Sequence, residues 1–183
     1  EKETVMYVVI ATVLTSLVLA FTMDSFLVPV FFMLSIGFAI LYNMGTNCFM
    51  GDISFITKAL AAVLQLGVTM DYSIFLWHSY KENQDKYPND KNRAMAHAIS
   101  NTFVSVAGSS VTTVAGFLAM CFMTFTLGLN LGIVMAKGVI LGVICCVTVL
   151  PSMILTFDKA IEKTSHKNLL PNLGKPAKFI VKR

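Results

Sequence analysis

Charge is what this sequence has least of. Only 13% of its 183 residues are charged, against roughly 25% in an ordinary soluble domain, and the shortfall is local. Residues 5–80 hold four charges (Asp24, Asp52, Lys58, Asp71) and residues 94–157 hold one, Lys137. A soluble fold of this size must cover its surface with polar side chains, and this chain has too few. That excludes a soluble enzyme, a nucleic-acid binder and a disordered tail. Period-two alternation is absent from runs such as Val5–Ile10 and Val139–Leu150, which excludes a membrane barrel. Cys48, Cys121, Cys145 and Cys146 contain no C-x-x-C pair, so neither a disulfide framework nor a zinc site is expected. His78, His97 and His166 are too scattered in sequence to suggest a metal, and no phosphate-binding glycine loop or internal repeat occurs. No cofactor, metal or catalytic function is expected.

What is abundant is apolar residues, 56% of the chain. They fall into five stretches, about 5–21, 25–43, 54–78, 101–125 and 129–157, each near the ~20 residues that cross a bilayer as helix. Backbone amides in lipid must be satisfied within their own segment, so these spans are helical. The expected fold is all-α, a polytopic bundle over 1–157 with a loop at 79–99 and a tail at 158–183. The loop carries Lys81, Lys86, Lys91 and Arg93, and the tail carries seven basic residues from Lys159 to Arg183. The connections at 44–53 and 126–128 carry none. The positive-inside rule then puts loop and tail in the cytoplasm and the N-terminus outside. The net charge of +4 reads as topology, with a weak attraction to anionic lipid headgroups besides.

An odd number of spans with an outside N-terminus implies an upstream segment that carried that end across the membrane. The chain also begins at Glu1, without an initiator Met. It reads as a piece of a longer protein, and Phe179-Ile180-Val181 resembles the approach to another membrane segment.

Asp71 is the most informative residue. It lies in Gly67-Val68-Thr69-Met70-Asp71-Tyr72, inside the third span. A carboxylate at a helix centre costs on the order of 2.5–3.5 kcal/mol on insertion scales, so it is expected to face the bundle or a wet cavity. Two readings are open. The acid is neutralised by a lysine or hydroxyl, or burial raises its pKa until it takes up and releases protons. Helical spacing puts Gly67, Asp71, Phe75 and His78 on one stripe. Gly67 would let a neighbouring helix approach, and His78 would either pass protons to water or sit at the interface in an aromatic belt with Trp77 and Tyr80. Tyr72 points roughly 100° away, toward a second partner.

The fourth span supplies hydroxyls. Gly108, Thr112 and Gly116 share one face, and Ser105, Ser109 and Thr113 share its neighbour. These faces are packing surfaces of the small-x-x-x-small kind, or else Thr112 or Thr113 hydrogen-bonds Asp71. The fifth span carries Gly128-x-x-x-Gly132 and Gly138-x-x-x-Gly142. Lys137 either snorkels outward or pairs with Asp52 or Asp71. Pro151 should loosen the last turns.

Together these residues resemble a known family. Gly67-Val-Thr-Met-Asp71-Tyr72-Ser-Ile-Phe75-Leu, followed by Lys81-Glu82, looks like the fourth transmembrane helix of MMPL-type transporters, within the resistance–nodulation–cell division superfamily. Ser109-Ser-Val-Thr112-Thr113-Val-Ala-Gly116 resembles the fifth helix, and the helix ending Leu150-Pro151 the sixth. The chain would then be helices two to six of one half, the first half by its tail. Such proteins are proton-driven exporters of lipids, drugs or other hydrophobic molecules, with two pseudo-repeated halves and large external domains. The resemblance implies that Asp71 and Tyr72 form a proton relay with a matching pair in the other half, in a bacterial cytoplasmic membrane. It implies as partners that half, the external domains, membrane lipids, protons, a hydrophobic substrate and a second copy in a homo-oligomer. Ser79 stands where family members often have arginine, and Lys137 lies in a stretch usually uncharged; both bear on the cytoplasmic gate. A second reading of the same helices is a sterol-sensing or regulatory lipid-binding module that does not pump. An intramembrane aspartyl protease would need a second deep aspartate, and Asp71 has none.

Overall fold

A computed structural model describes residues 2–23, 25–50 and 53–164. Asp24, Asp52 and the tail beyond Thr164 lie outside the described residues. Five long helices run α1 Lys2–Thr22, α2 Leu27–Thr46, α3 Phe55–Lys86, α4 Lys91–Met120 and α5 Thr126–Thr156, followed by the short α6 Asp158–Lys163. A 3₁₀ turn, Asn47–Met50, extends α2, and the described residues contain no strand. Among the described residues four helices are long and apolar enough to cross a membrane, and Met6–Thr22 of α1 is a shorter apolar helix.

The helices differ from the expected spans mainly at one end. The segment 79–99 is not a loop: α3 continues to Lys86, α4 begins at Lys91, and only Tyr87–Asp90 turns the chain. Asp90 caps the start of α4 through Oδ1, which accepts from the Arg93 amide at 3.0 Å. At about 1.5 Å per residue, α3 is roughly 48 Å long, well beyond a ~30 Å hydrocarbon core. Its last turns carry the exposed pair Lys86–Glu82 at 2.7 Å, a hydrogen bond that holds the Glu82 carboxyl below its usual pKa. Hydropathy marks where a helix leaves lipid, and this helix does not stop there. The span expected to reach 125 ends at Met120.

Helix α5 is the centre of the bundle, packed against α2, α3 and α4, while α1 lies at the periphery against α2 and α3. Phe32, Ile36, Leu76, Trp77, Tyr80, Met95, Leu150 and Ile154 fill the core. Trp77 and Tyr80 are 2% and 1% exposed. They are core residues rather than an interfacial belt, because that end of α3 is packed into the main hydrophobic cluster with Met95, Leu150 and Ile154. Helix α5 runs through Pro151, with the Ser152 hydroxyl donating to Thr148 O at 2.8 Å in the turn before it.

A polar seam crosses this core. Asn43 Nδ2 donates to Gln65 Oε1 at 2.8 Å and to Val134 O at 3.2 Å, and Gln65 Nε2 donates to Gly138 O at 3.1 Å. Both amides are fully buried, so they tie α2, α3 and α5 together in one register. Gln65→Leu leaves buried groups unpaired and should cost about 1–3 kcal/mol. The expected result is a lower melting temperature of the detergent-solubilised protein, much of it regained in the Asn43→Leu/Gln65→Leu double variant.

Candidate functional site

Asp71, midway along α3, is exposed, and so are the other members of its stripe: Gly67, Phe75 and His78. One residue on, Tyr72 turns inward and is 3% exposed. The two side chains border a cavity of about 330 Å³ between α3 and α4, whose α4 wall includes Ser105, Ser109 and Thr113. Tyr72 Oη is buried and faces the side chains of Ser109 and Thr113 on α4 as its hydrogen-bonding neighbours. The site therefore places an exposed carboxyl and a buried phenol hydroxyl on the rim and wall of one cavity, with the α4 hydroxyls of Ser105, Ser109 and Thr113 on its far side.

Several sequence expectations are redirected here. Neither threonine bonds Asp71. Thr112 and Thr113 both donate to Ser109 O, at 2.8 and 2.9 Å, the usual back-bond of a helical hydroxyl. Thr113 still lines the cavity; Thr112 faces outward with Gly108 and Gly116. Gly67, Gly108 and Gly116 have open space around them, whereas Gly138 and Gly142 are closely packed. A Cβ at Gly138 would run into the Asn43–Gln65 pair, and one at Gly142 would run into Thr69. The glycines of these three helices thus divide by face: those on α5 pack within the bundle, and Gly67, Gly108 and Gly116 lie on the open side of α3 and α4.

Lys137 does not meet Asp71. Its Nζ donates to Asn47 Oδ1 at 2.6 Å, joining α5 to the turn after α2. The alternative partner Asp52 lies outside the described residues. His78 shares the Asp71 stripe but does not line the cavity. Among the described residues no group of His, Cys, Asp and Glu could hold a metal.

Two buried polar features are inconspicuous in the sequence. The Asn43–Gln65 pair carries no charge, so neither amide stands out among its apolar neighbours. Asp158 falls in what reads as a polar tail, yet it is 7% exposed. Its spacing to Ile161 (Asp158-Lys-Ala-Ile161) is the available signal of a helix with one buried face.

Long apolar helices around a polar seam, with a carboxyl held at mid-helix, define a multi-pass membrane protein. The MMPL family profile matches residues 1–176, and the chain belongs to that family. A membrane protein of Methanocaldococcus jannaschii is 36% identical over 99 residues, 54% of this chain and 25% of that one. ActII-3, a membrane protein of Streptomyces coelicolor, is 28% identical over 126 residues (69% and 17%), and membrane protein YdfJ of Bacillus subtilis is 22% identical over 166 residues (88% and 22%). The chain spans 17% to 25% of the length of these relatives. No solved structure matches it significantly.

Proposed function

We propose that this chain is the membrane half of a proton-driven exporter of lipids, drugs or other hydrophobic molecules, with Asp71 and Tyr72 as its proton relay. The observation that carries the reading is the exposed stripe of Asp71 itself. In lipid an uncovered carboxylate is costly, by about 2.5–3.5 kcal/mol on insertion scales. The stripe therefore calls for a covering element, and the open faces of Gly67, Gly108 and Gly116 leave room for one to approach closely. The remainder of the longer protein supplies it as a second half. Protonation of Asp71 lowers the cost of exposing this face, and deprotonation restores it, so proton binding biases how the two halves pack. One charge crossing 100 mV is worth about 2.3 kcal/mol, which shifts such an equilibrium appreciably. Tyr72, with the hydroxyls of Ser105, Ser109 and Thr113, gives the cavity the donors and acceptors to hold a proton carrier beside the acid. A bacterial cytoplasmic membrane, with its standing proton gradient, is the proposed setting.

The test uses the full-length protein in liposomes loaded with a fluorescent lipid or dye. An imposed pH gradient should drive its movement, and a protonophore should stop it. Movement that ignores the gradient would sink the pump. A second reading, lipid binding without pumping, is favoured by an apolar groove of about 530 Å³ between α1 and α2, lined by Val13, Leu17, Pro29 and Val30 among others. It predicts gradient-independent binding of the same probe and no net movement.

A further inference from the structure

Asp158 stands apart from everything assigned so far. It lies at the end of the bundle where α3 leaves off and α4 starts, and it is 7% exposed. A buried carboxylate is tolerated when its oxygens are paired, and here each is held by a different helix. Tyr80 Oη, on α3, donates to Oδ1 at 3.3 Å, and Lys91 Nζ, in the first turn of α4, forms an ion pair with Oδ2. The short helix that carries Asp158 is itself fastened at several points. Phe157 stacks on Phe31 of α2 with ring centroids 5.5 Å apart, Ile161 is in the core, and the Thr164 and Ser25 hydroxyls are 2.8 Å apart.

The helical phase relates this cluster to Asp71. Tyr80 follows Asp71 by nine residues, which is about 900° of rotation, or two and a half turns. The two side chains therefore point to opposite sides of α3, and any contact that holds Tyr80 inward holds Asp71 outward. The burial pattern agrees: Tyr72, Leu76 and Tyr80 all face the core, and Asp71, Phe75 and His78 all face away. Lys91 does the same for α4, the helix that brings Ser105, Ser109 and Thr113 to the cavity.

We propose that Asp158, with Tyr80 and Lys91, is a positioning cluster that sets the rotation of α3 and the seat of α4, and so the direction in which Asp71 faces. None of the three touches the cavity; they act through the helices that form it. The consequence for transport rests on the relay reading above, but the geometric claim does not.

The experiment places a single cysteine at position 78 of the full-length protein, on the Asp71 stripe, with Cys48, Cys121, Cys145, Cys146 and every cysteine of the remaining chain replaced by alanine. The rate of labelling by a water-soluble maleimide is measured in membrane vesicles. Asp158→Asn and Lys91→Met should each change that rate by about fivefold or more, the scale of a coupling between remote sites. The charge-swapped Lys91→Asp/Asp158→Lys pair should return it toward the original value, which a purely local loss of stability would not do. An unchanged rate in folded single variants, or a folded swap that stays altered, overturns the proposal. Should both single variants fail to fold, Tyr80→Phe, which removes one hydroxyl from the same carboxylate, carries the test, and an unchanged rate there overturns it. Transport by Asp71→Asn decides the relay separately: if that variant still pumps while labelling at 78 responds to Asp158, the anchor stands and the relay falls.

Discussion

Asp71→Asn in the full-length protein is expected to lower proton-driven transport by roughly a hundredfold or more, the scale on which losing an essential proton-transfer group is felt, with membrane abundance unchanged. The two halves of that expectation have separate grounds. Asparagine has nearly the shape of aspartate but cannot take up and release a proton, so a cycle that alternates between charged and neutral states at this position stops. Abundance should hold because Asp71 is exposed on its own bundle and forms neither of the ion pairs found among the described residues, which are Lys86–Glu82 and Lys91–Asp158. Asparagine is also cheaper than a carboxylate to place in lipid. Initial rates in liposomes, normalised to purified protein, give the answer, and transport retained near the wild-type rate ends the relay hypothesis. Asp71→Glu offers a contrast, since it keeps the titratable group but moves it by one methylene; partial activity there would point to protonation rather than shape.

The second large effect belongs to packing. Gly132→Ala is expected to destabilise the bundle by about 1–3 kcal/mol, the usual cost of overpacking a filled interior. A Cβ at Gly132 would lie 2.5 Å from the Phe117 carbonyl oxygen and 2.8 Å from Cys121 Sγ. The first of these is backbone, which cannot rotate away as a side chain can, so α4 and α5 must separate where they join. Gly67→Ala, Gly108→Ala and Gly116→Ala meet nothing within 4 Å in this chain. Alanine is the better helix former by about 1 kcal/mol, so the bundle itself should tolerate them. In the full-length protein the same three substitutions should weaken function if a second half packs on that face. Thermal unfolding of the purified protein, set beside liposome transport for the same variants, separates the inner glycines from the outer ones. Equal melting temperatures for Gly132→Ala and Gly108→Ala would contradict the division by face.

Residue type and spacing carry much of this protein's description. The helices over most of 5–157, the unusual placing of an acid at Asp71 in its Gly67–Tyr72 setting, and membership of the MMPL family are all legible there. The helical hairpin through 79–99 is not, because charge marks where a chain leaves lipid and says nothing about whether its hydrogen-bonded ladder continues into water. The places of Trp77 and Tyr80 are ambiguous for a related reason: an aromatic near a membrane boundary suits both an interface and a core. Only the packing of that end of α3 into the core, beside Met95, Leu150 and Ile154, decides between them. Gly108 and Gly142 look alike in sequence, yet one faces open space and the other Thr69.

The sequence by itself determined the class of protein, because the cost of placing backbone and charge in hydrocarbon arises residue by residue and any long apolar run must answer it as helix. It also singled out one acid, Asp71, since a carboxyl among apolar neighbours is costly wherever it points. Tertiary structure alone decided where each face of those helices is turned: Tyr72 into the bundle and Asp71 out of it, Gln65 onto Asn43, Asp158 onto Tyr80 and Lys91. Those choices depend on complementarity between segments distant in the chain, and helical periodicity supplies the faces without naming their partners.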